Sequence, residues 1–249
     1  MISQKIRNWL VVTGLVIYSP IVSASFTVYP IAASVEADKS SLIRIYSKDS
    51  DPLYIKTYVK RIVKPGTPEE YEEVVPAWQA NSLIVSPGKI IVPAGGNKAV
   101  RLTALTPPEK EVIYRVYFES VQPTEEEPGK VSGSTGKQKL SSNVSLNVIY
   151  AALVRVLPVN KTVDVGVIKI NDEIVLTGKG SVRTAIKRIE LCPTQQSSED
   201  CSSHEIKKNL YPEQKMNSSI KGIPSKPWVL IYTAEKQSDK TEKVISAKL

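Results

Sequence analysis

Cysteine, histidine and long apolar runs are scarce in this chain, and each scarcity removes a class of function. The 249 residues hold two cysteines, Cys192 and Cys201, and one histidine, His204. Two thiols build neither a disulfide framework nor a thiolate metal cluster. A lone imidazole in a polar stretch, with no carboxylate cluster around it, supplies no metal site and no ready-made triad. The GxxxxGK[ST] spacing is missing, so Gly178 and Gly180 in TGKGS fit a turn between strands better than a phosphate loop. The acidic run Glu125 to Glu127 lacks the alternating oxygen ligands and glycine of a calcium loop. The net charge of +8 is distributed through strand-like segments with no basic run, which argues against nucleic acid as a partner. No helical periodicity of useful length occurs. The expectation is a protein without catalytic residues, cofactor or metal.

One apolar run does occur, from Trp9 to Tyr18, preceded by Lys5 and Arg7 and followed by the small residues Val22, Ser23 and Ala24. That order reads as a secretory signal peptide over residues 1–24, cleaved before Ser25. The run falls short of the roughly 20 residues a membrane span needs. Cleavage removes two of the 33 basic residues and none of the 25 acidic ones, leaving a moderately basic chain outside the cytoplasm. In that compartment Cys192 and Cys201 are expected to oxidise to a bridge across their short polar loop.

The remainder exceeds a typical single domain of about 100–150 residues, so two domains are expected. The boundary falls at Leu157, Pro158, Val159 and Asn160, where proline ends strand pairing, giving domains at residues 25–157 and 160–249. In the first, strand-like segments run over Phe26–Tyr29, Leu42–Tyr46, Leu53–Ile62, Leu83–Val85, Lys98–Leu102, Val112–Val121 and Val144–Val156. Pro65-Gly66, Pro87-Gly88, Ala94-Gly95-Gly96 and Pro107-Pro108 break the pattern between them. Short strands at this spacing make an all-β sandwich. The second domain is less regular, with strands near Thr162–Ile170, Glu173–Leu176, Val182–Leu191, Trp228–Thr233 and Lys243–Ala247 and a turn-rich stretch over Cys192–Pro227 that holds His204 in a loop. It reads as a smaller sandwich with long connections.

The segment Leu140–Tyr150, LSSNVSLNVIY, carries the functional argument. Leu140, Val144, Leu146, Val148 and Tyr150 alternate with polar Ser141, Asn143, Ser145 and Asn147, which makes a strand with one apolar face. It follows a polar stretch of roughly 20 residues rich in Glu, Gly, Ser and Thr, unusually long for a loop within a compact domain. An alternating strand on a long tether suits capture of another protein by strand addition. Alternation by itself equally fits a strand buried in its own sandwich. Arg44, Arg101 and Arg115 occupy polar steps of other strands and are expected to point away from the core, as surface decoration or as the lining of an anion-binding cleft.

Four stretches in order, FTVYPIAASV at Phe26–Val35, LIVSPGKIIVPAGGNKAVRLT at Leu83–Thr103, EVIYRVYFESVQP at Glu111–Pro123 and NVSLNVIYAALVRVLP at Asn143–Pro158, give the chain a resemblance to the periplasmic chaperones of the chaperone–usher pathway. It is most similar to the alternate branch that serves CFA/I-like or CS1-like fimbriae. The resemblance implies two immunoglobulin-like β-sandwich domains in a boomerang and a donor strand, G1, over Leu140–Tyr150. It further implies partners in incomplete pilin subunits and an outer-membrane usher, a periplasmic location, and no covalent chemistry. Many members hold the pilin C-terminal carboxylate with an arginine on the first strand and a lysine on G1. Here those positions offer Phe26 and one of Tyr150, Ala151 or Leu153, so the candidates for a carboxylate anchor are Arg155, Arg44 and Arg115. The cysteine pair that some members carry near strands F1 and G1 is absent. An exposed G1 edge implies protection of the free protein by self-association or loop cover. The alternatives are a secreted two-domain immunoglobulin-like adhesion or receptor protein, which would draw on the sequons at Asn143, Asn160 and Asn217, and a sandwich-based carbohydrate-processing enzyme.

Overall fold

A computed structural model describes residues 25–76, 82–121, 148–234 and 242–249. The segment expected to be a signal peptide, the polar stretch with its acidic run, and Leu140, Asn143, Val144 and Leu146 all lie outside the described residues. Among the described residues there is no helix, and hence none long and apolar enough to cross a membrane.

The first ten strands are β1 (Phe26–Tyr29), β2 (Ala32–Val35), β3 (Ser40–Ser47), β4 (Leu53–Val63), β5 (Tyr71–Val74), β6 (Leu83–Ser86), β7 (Lys89–Val92), β8 (Asn97–Ala104), β9 (Val112–Ser120) and β10 (Ile149–Val156). They form two sheets, one in the order β1-β3-β8-β6 and one in the order β2-β10-β9-β4-β5 with β7 also on β4. Period-two alternation decides which side chains go inward. Ile43 and Ile45 of β3, Val100 and Leu102 of β8, Tyr114, Val116 and Phe118 of β9 and Ala152, Val154 and Val156 of β10 share one core. Arg44 and Arg101 stand on the exposed steps between them. Pro30 has no N–H to donate and ends β1. The chain resumes in the other sheet as β2, so one N-terminal segment serves both sheets.

The other seven strands are β11 (Val165–Ile170), β12 (Glu173–Gly178), β13 (Thr184–Cys192), β14 (Ser202–Leu210), β15 (Lys215–Lys221), β16 (Trp228–Ala234) and β17 (Glu242–Lys248). They make a second sandwich, β11-β12-β15 against β14-β13-β16-β17, with its own core of Val165, Ile174, Leu176, Ile186, Ile189, Leu191, Leu210, Ile220, Val229 and Ile231. The strands of the described residues thus fall into two immunoglobulin-like sandwiches.

The stretch expected to be turns over Cys192–Pro227 instead contains β14 and β15, and His204 sits on β14 opposite Ile189. Both strands are polar because each is an edge strand; β14 turns little more than Ile206 and Leu210 toward the core, and β15 Met216 and Ile220. The poor alternation of β13 has a local cause as well. A register shift between Ile186 and Arg188 reverses the parity, so Ile186, Ile189 and Leu191 all point inward while Arg188 and Glu190 point outward.

The disulfide joins Cys192 to Cys201. It pins the connection between β13 and β14 over the outer face of the sheet, where Cys192, Leu230 and Tyr232 are buried together with Trp228 packed beside them. Under this loop Glu190 accepts hydrogen bonds from Tyr232 (2.8 Å), Ser197 (2.8 Å) and Arg188 (3.2 Å). The Arg188 guanidinium lies 3.5 Å from the Tyr232 ring centroid.

Candidate functional site

β10 is an interior strand for only half its length. On one side it pairs antiparallel with β9 from Ile149 to Val156, and on the other side it pairs parallel with β2 only from Leu153 to Val156. Before Leu153 no strand among the described residues covers its outer edge. The direction of each peptide follows from the ladder. Ser120 donates to the Val148 carbonyl, whereas the N–H of Leu153 donates across the other edge to Ile31 and that of Leu157 to Val35. Even-numbered residues therefore bond to β9 and odd-numbered ones face outward, which leaves the N–H and C=O groups of Ile149 and Ala151 directed at the open edge.

The side chains divide by the same parity. Ala152, Val154 and Val156 lie in the core, with Val148 and Tyr150 packed partly buried at its end, and Phe26 of β1 meets Tyr150 edge to face at 4.8 Å. Phe26, the first-strand residue standing where the resemblance would put an anchoring arginine, is fully buried. Val144 and Leu146 share the parity of Val148 in the sequence.

Arg155 leaves this strand on the opposite face and meets Glu111. The carboxylate, with no exposed side-chain surface, accepts from Arg155 Nε at 2.6 Å and Nη2 at 2.8 Å, and from the backbone N–H of Arg183 at 2.8 Å. The Glu111 N–H donates to the Ser181 carbonyl at 2.8 Å. One buried carboxylate thus ties β10 and β9 of the first sandwich to the start of β13 in the second. Two exposed ion pairs flank this brace, Lys110 with Glu213 and Lys161 with Glu36. Hydrogen bonds from Lys161 and Lys39 hold the Glu36 carboxyl at about 2. Gly180 belongs to this junction, since a Cβ there would lie 2.4 Å from the Thr162 carbonyl oxygen, and one on Gly178 would lie 2.1 Å from that of Tyr211. The glycines of TGKGS permit close backbone approach at a turn.

The three candidate arginines do not converge. Arg44 is on the outer face of β3, in register with Tyr29 and near the Asn97 side chain at 3.4 Å. Arg115 is on β9, ion-paired with Glu72 and 3.9 Å from Glu70. Arg155 is held in the brace. Nothing in composition marked Glu111 as the brace's centre; the clue available was an acid beside the apolar β9 run, with Arg155 at a matching polar step of β10. Among the described residues the one group of three His, Cys, Asp or Glu side chains with ligand atoms within 4.8 Å is Glu190, Cys192 and Cys201, and its two sulfurs are bonded to each other.

Two immunoglobulin-like sandwiches meet at a short braced junction, and the first leaves half of the β10 edge without a partner strand among the described residues. Comparison with known proteins agrees. The chain is 37% identical over 201 residues to a CFA/I fimbrial subunit of Escherichia coli, covering 80% of this chain and 82% of that protein. It is 38% identical over 202 residues to a CS1 fimbrial subunit of Escherichia coli, with the same coverage. It superposes on the class 5 fimbrial chaperone CfaA with a TM-score of 0.76 at 33% identity, across 90% of this chain and 98% of that one. A chain from a CFA/I chaperone–tip adhesin complex gives the same TM-score and coverage at 34% identity. No protein-family model matches. The chain belongs to the class 5 fimbrial chaperones.

Proposed function

We propose that the chain is a periplasmic chaperone that captures incomplete pilin subunits by lending them the strand leading into β10, and passes them to an outer-membrane usher for fimbrial assembly. The observation that carries this reading is the open edge at Ile149 and Ala151, backed by a side-chain face continuous with the sandwich core. A pilin lacking a strand gains backbone hydrogen bonds along that edge and apolar burial from Val144, Leu146 and Val148. Capture by pairing and burial needs no nucleotide, and release follows when a strand that fits the pilin better takes the place of the lent one. The donor residues in this reading are Leu140, Val144, Leu146, Val148 and Tyr150. The terminal carboxylate of the pilin is assigned to the set Arg44, Arg115 and Arg155. Of these, Arg115 and Arg155 would have to exchange an internal carboxylate for it, whereas Arg44 would not.

The adhesion alternative draws on exposed sequons, but the Asn217 side chain is already engaged, donating to Glu173 at 2.5 Å and accepting from the Ser219 N–H at 2.8 Å. The test is periplasmic co-expression with each pilin encoded beside this chain, comparing the native protein with a folded variant carrying Val144→Ser, Leu146→Ser and Val148→Ser. Loss of co-purification in the variant is the expected result. Equal pilin recovery with the native chain, the variant and no chaperone would remove the reading.

A further inference from the structure

The second sandwich breaks both of its edge strands on one side. β14 and β15 follow each other through the turn at 211–214 and each ends one sheet, so their outer edges, unpaired among the described residues, lie side by side. In β14, Ile186 is in register with Lys208 and Arg188 with Glu205, so Ile206 and Lys207 together stand opposite Lys187. Lys207 absorbs the extra residue in the left-handed region, at φ 50°. In β15, Glu173 is in register with Lys221 and Val175 with Asn217, so Ser218, Ser219 and Ile220 stand opposite Ile174 alone, and Ser219 is left-handed at φ 58°. Neither residue is glycine, so each holds a conformation that is unfavourable on its own. β11 and β17, which end the same sheets at the other side, run in unbroken register with β12 and β16.

The break in β15 is held by its own side chains. The Gly178 N–H donates to the Gln214 carbonyl at 2.9 Å, which sets the parity of the ladder: Met216 bonds to Leu176, and the N–H groups of Lys215 and Asn217 face the open side. Past the break the Gly222 N–H donates to the Asp172 carbonyl at 2.8 Å, so an uninterrupted ladder would pair Ile220 with Ile174. The Ser218 hydroxyl stands between them instead, donating to the Ile174 carbonyl at 2.6 Å and accepting from the Ile220 N–H at 3.2 Å. The Ser219 N–H, next in the outward row, is taken by Asn217 Oδ1 at 2.8 Å, and Asn217 Nδ2 donates in turn to Glu173. A strand arriving at this edge meets a turned backbone with one donor already occupied. On β14 the break coincides with charge, as Lys207 and Glu205, both largely exposed, pair at 2.6 Å.

We propose that the left-handed breaks at Lys207 and Ser219 keep this side of the second sandwich from pairing with a second copy of the chain. An unbroken antiparallel edge is self-complementary about a two-fold axis, and β15 without its break would present one. The proposal stands on the second sandwich alone and does not depend on the chaperone reading. The test compares the native protein with a variant lacking Ser218 and Ser219, which brings both halves of β15 into one register, and with Ser219→Val, whose branched side chain opposes a positive φ. In sedimentation velocity over a concentration series, both variants should self-associate at concentrations about tenfold below the native protein, while Ser219→Gly, which keeps the left-handed turn, stays within about twofold. Hydrogen exchange should place the new contact at the Lys215 and Asn217 amides, protected only in the associated variants. Variants that unfold as cooperatively as the native protein yet keep its sedimentation profile would overturn the proposal. So would association that leaves those two amides unprotected, because it would run through another edge, and so would equal association of Ser219→Gly and Ser219→Val. If the deletion does not fold, Ser219→Val, a change of one exposed side chain, decides the matter.

Discussion

Replacing Glu111 with alanine should loosen the junction between the two sandwiches and lower stability by a predictable amount. The carboxylate is fully buried and satisfies two guanidinium N–H groups and the Arg183 N–H, so its removal strands a cation that is only 22% exposed and one backbone donor. Breaking a buried pair by deleting one partner costs about 3–5 kcal/mol, and partial exposure of Arg155 puts the figure near the lower end, about 3 kcal/mol. For a chain of this size that corresponds to a fall in Tm of about 6–12 °C. Differential scanning calorimetry measures the change, and small-angle scattering reads the distance distribution between the two sandwiches. The double variant Glu111→Leu with Arg155→Met removes both charges and should recover at least half of the lost stability. A Tm within about 1 °C of the native protein and an unchanged scattering curve for Glu111→Ala would refute the brace.

Three further expectations follow from the second sandwich. Burial raises the Glu190 carboxyl, but hydrogen bonds from Tyr232, Ser197 and Arg188 and the Arg188 charge outweigh it, and the net shift is below the usual 4.5. Its contribution to stability is thus present above that unfolded value and lost as pH falls through the lower folded one. Glu190→Gln should flatten the acid limb of a stability–pH curve measured by urea titration. Replacing Cys192 and Cys201 with serine opens a loop spanning a sequence separation of 9, and chain entropy predicts a loss of about 2–3 kcal/mol, checked by denaturant unfolding of the oxidised protein against the variant. Gly180→Ala forces a Cβ toward the Thr162 carbonyl and should cost more than about 1 kcal/mol by the same assay.

Much of the first sandwich was legible because its interior strands alternate strictly. Ile43 and Ile45, Val100 and Leu102, and Val116 and Phe118 each announce an inward face, and the proline-glycine breaks punctuate them. Three strands escaped for separate reasons. β2 is built of small residues, β5 is acidic, and β7 is a short run closed in by Pro87-Gly88 and Pro93. β14 and β15 were hidden by the polarity that edge strands need, and β13 by its bulge. Val148 and Tyr150, the described end of the alternating segment, were readable as one apolar face, and an exposed edge was expected there, but how far the edge extends was not. Among the described residues the edge has no partner before Leu153 because β2 is four residues long and pairs only from there onward, a matter of long-range pairing that side-chain pattern does not encode. The commitment of Arg155 to Glu111 left only a faint trace, an acid and a cation at the ends of two apolar runs 44 residues apart in the chain.

The most direct test of the account is amide hydrogen exchange at Ile149, Ala151 and Leu153 in the free protein and in its complex with a captured pilin. The account predicts that Ile149 and Ala151 gain strong protection in the complex beyond what self-association or loop cover gives the free protein, while Leu153 is protected in both states through its bond to Ile31. Exchange at Ile149 and Ala151 that is unchanged by pilin binding would contradict strand donation at this edge.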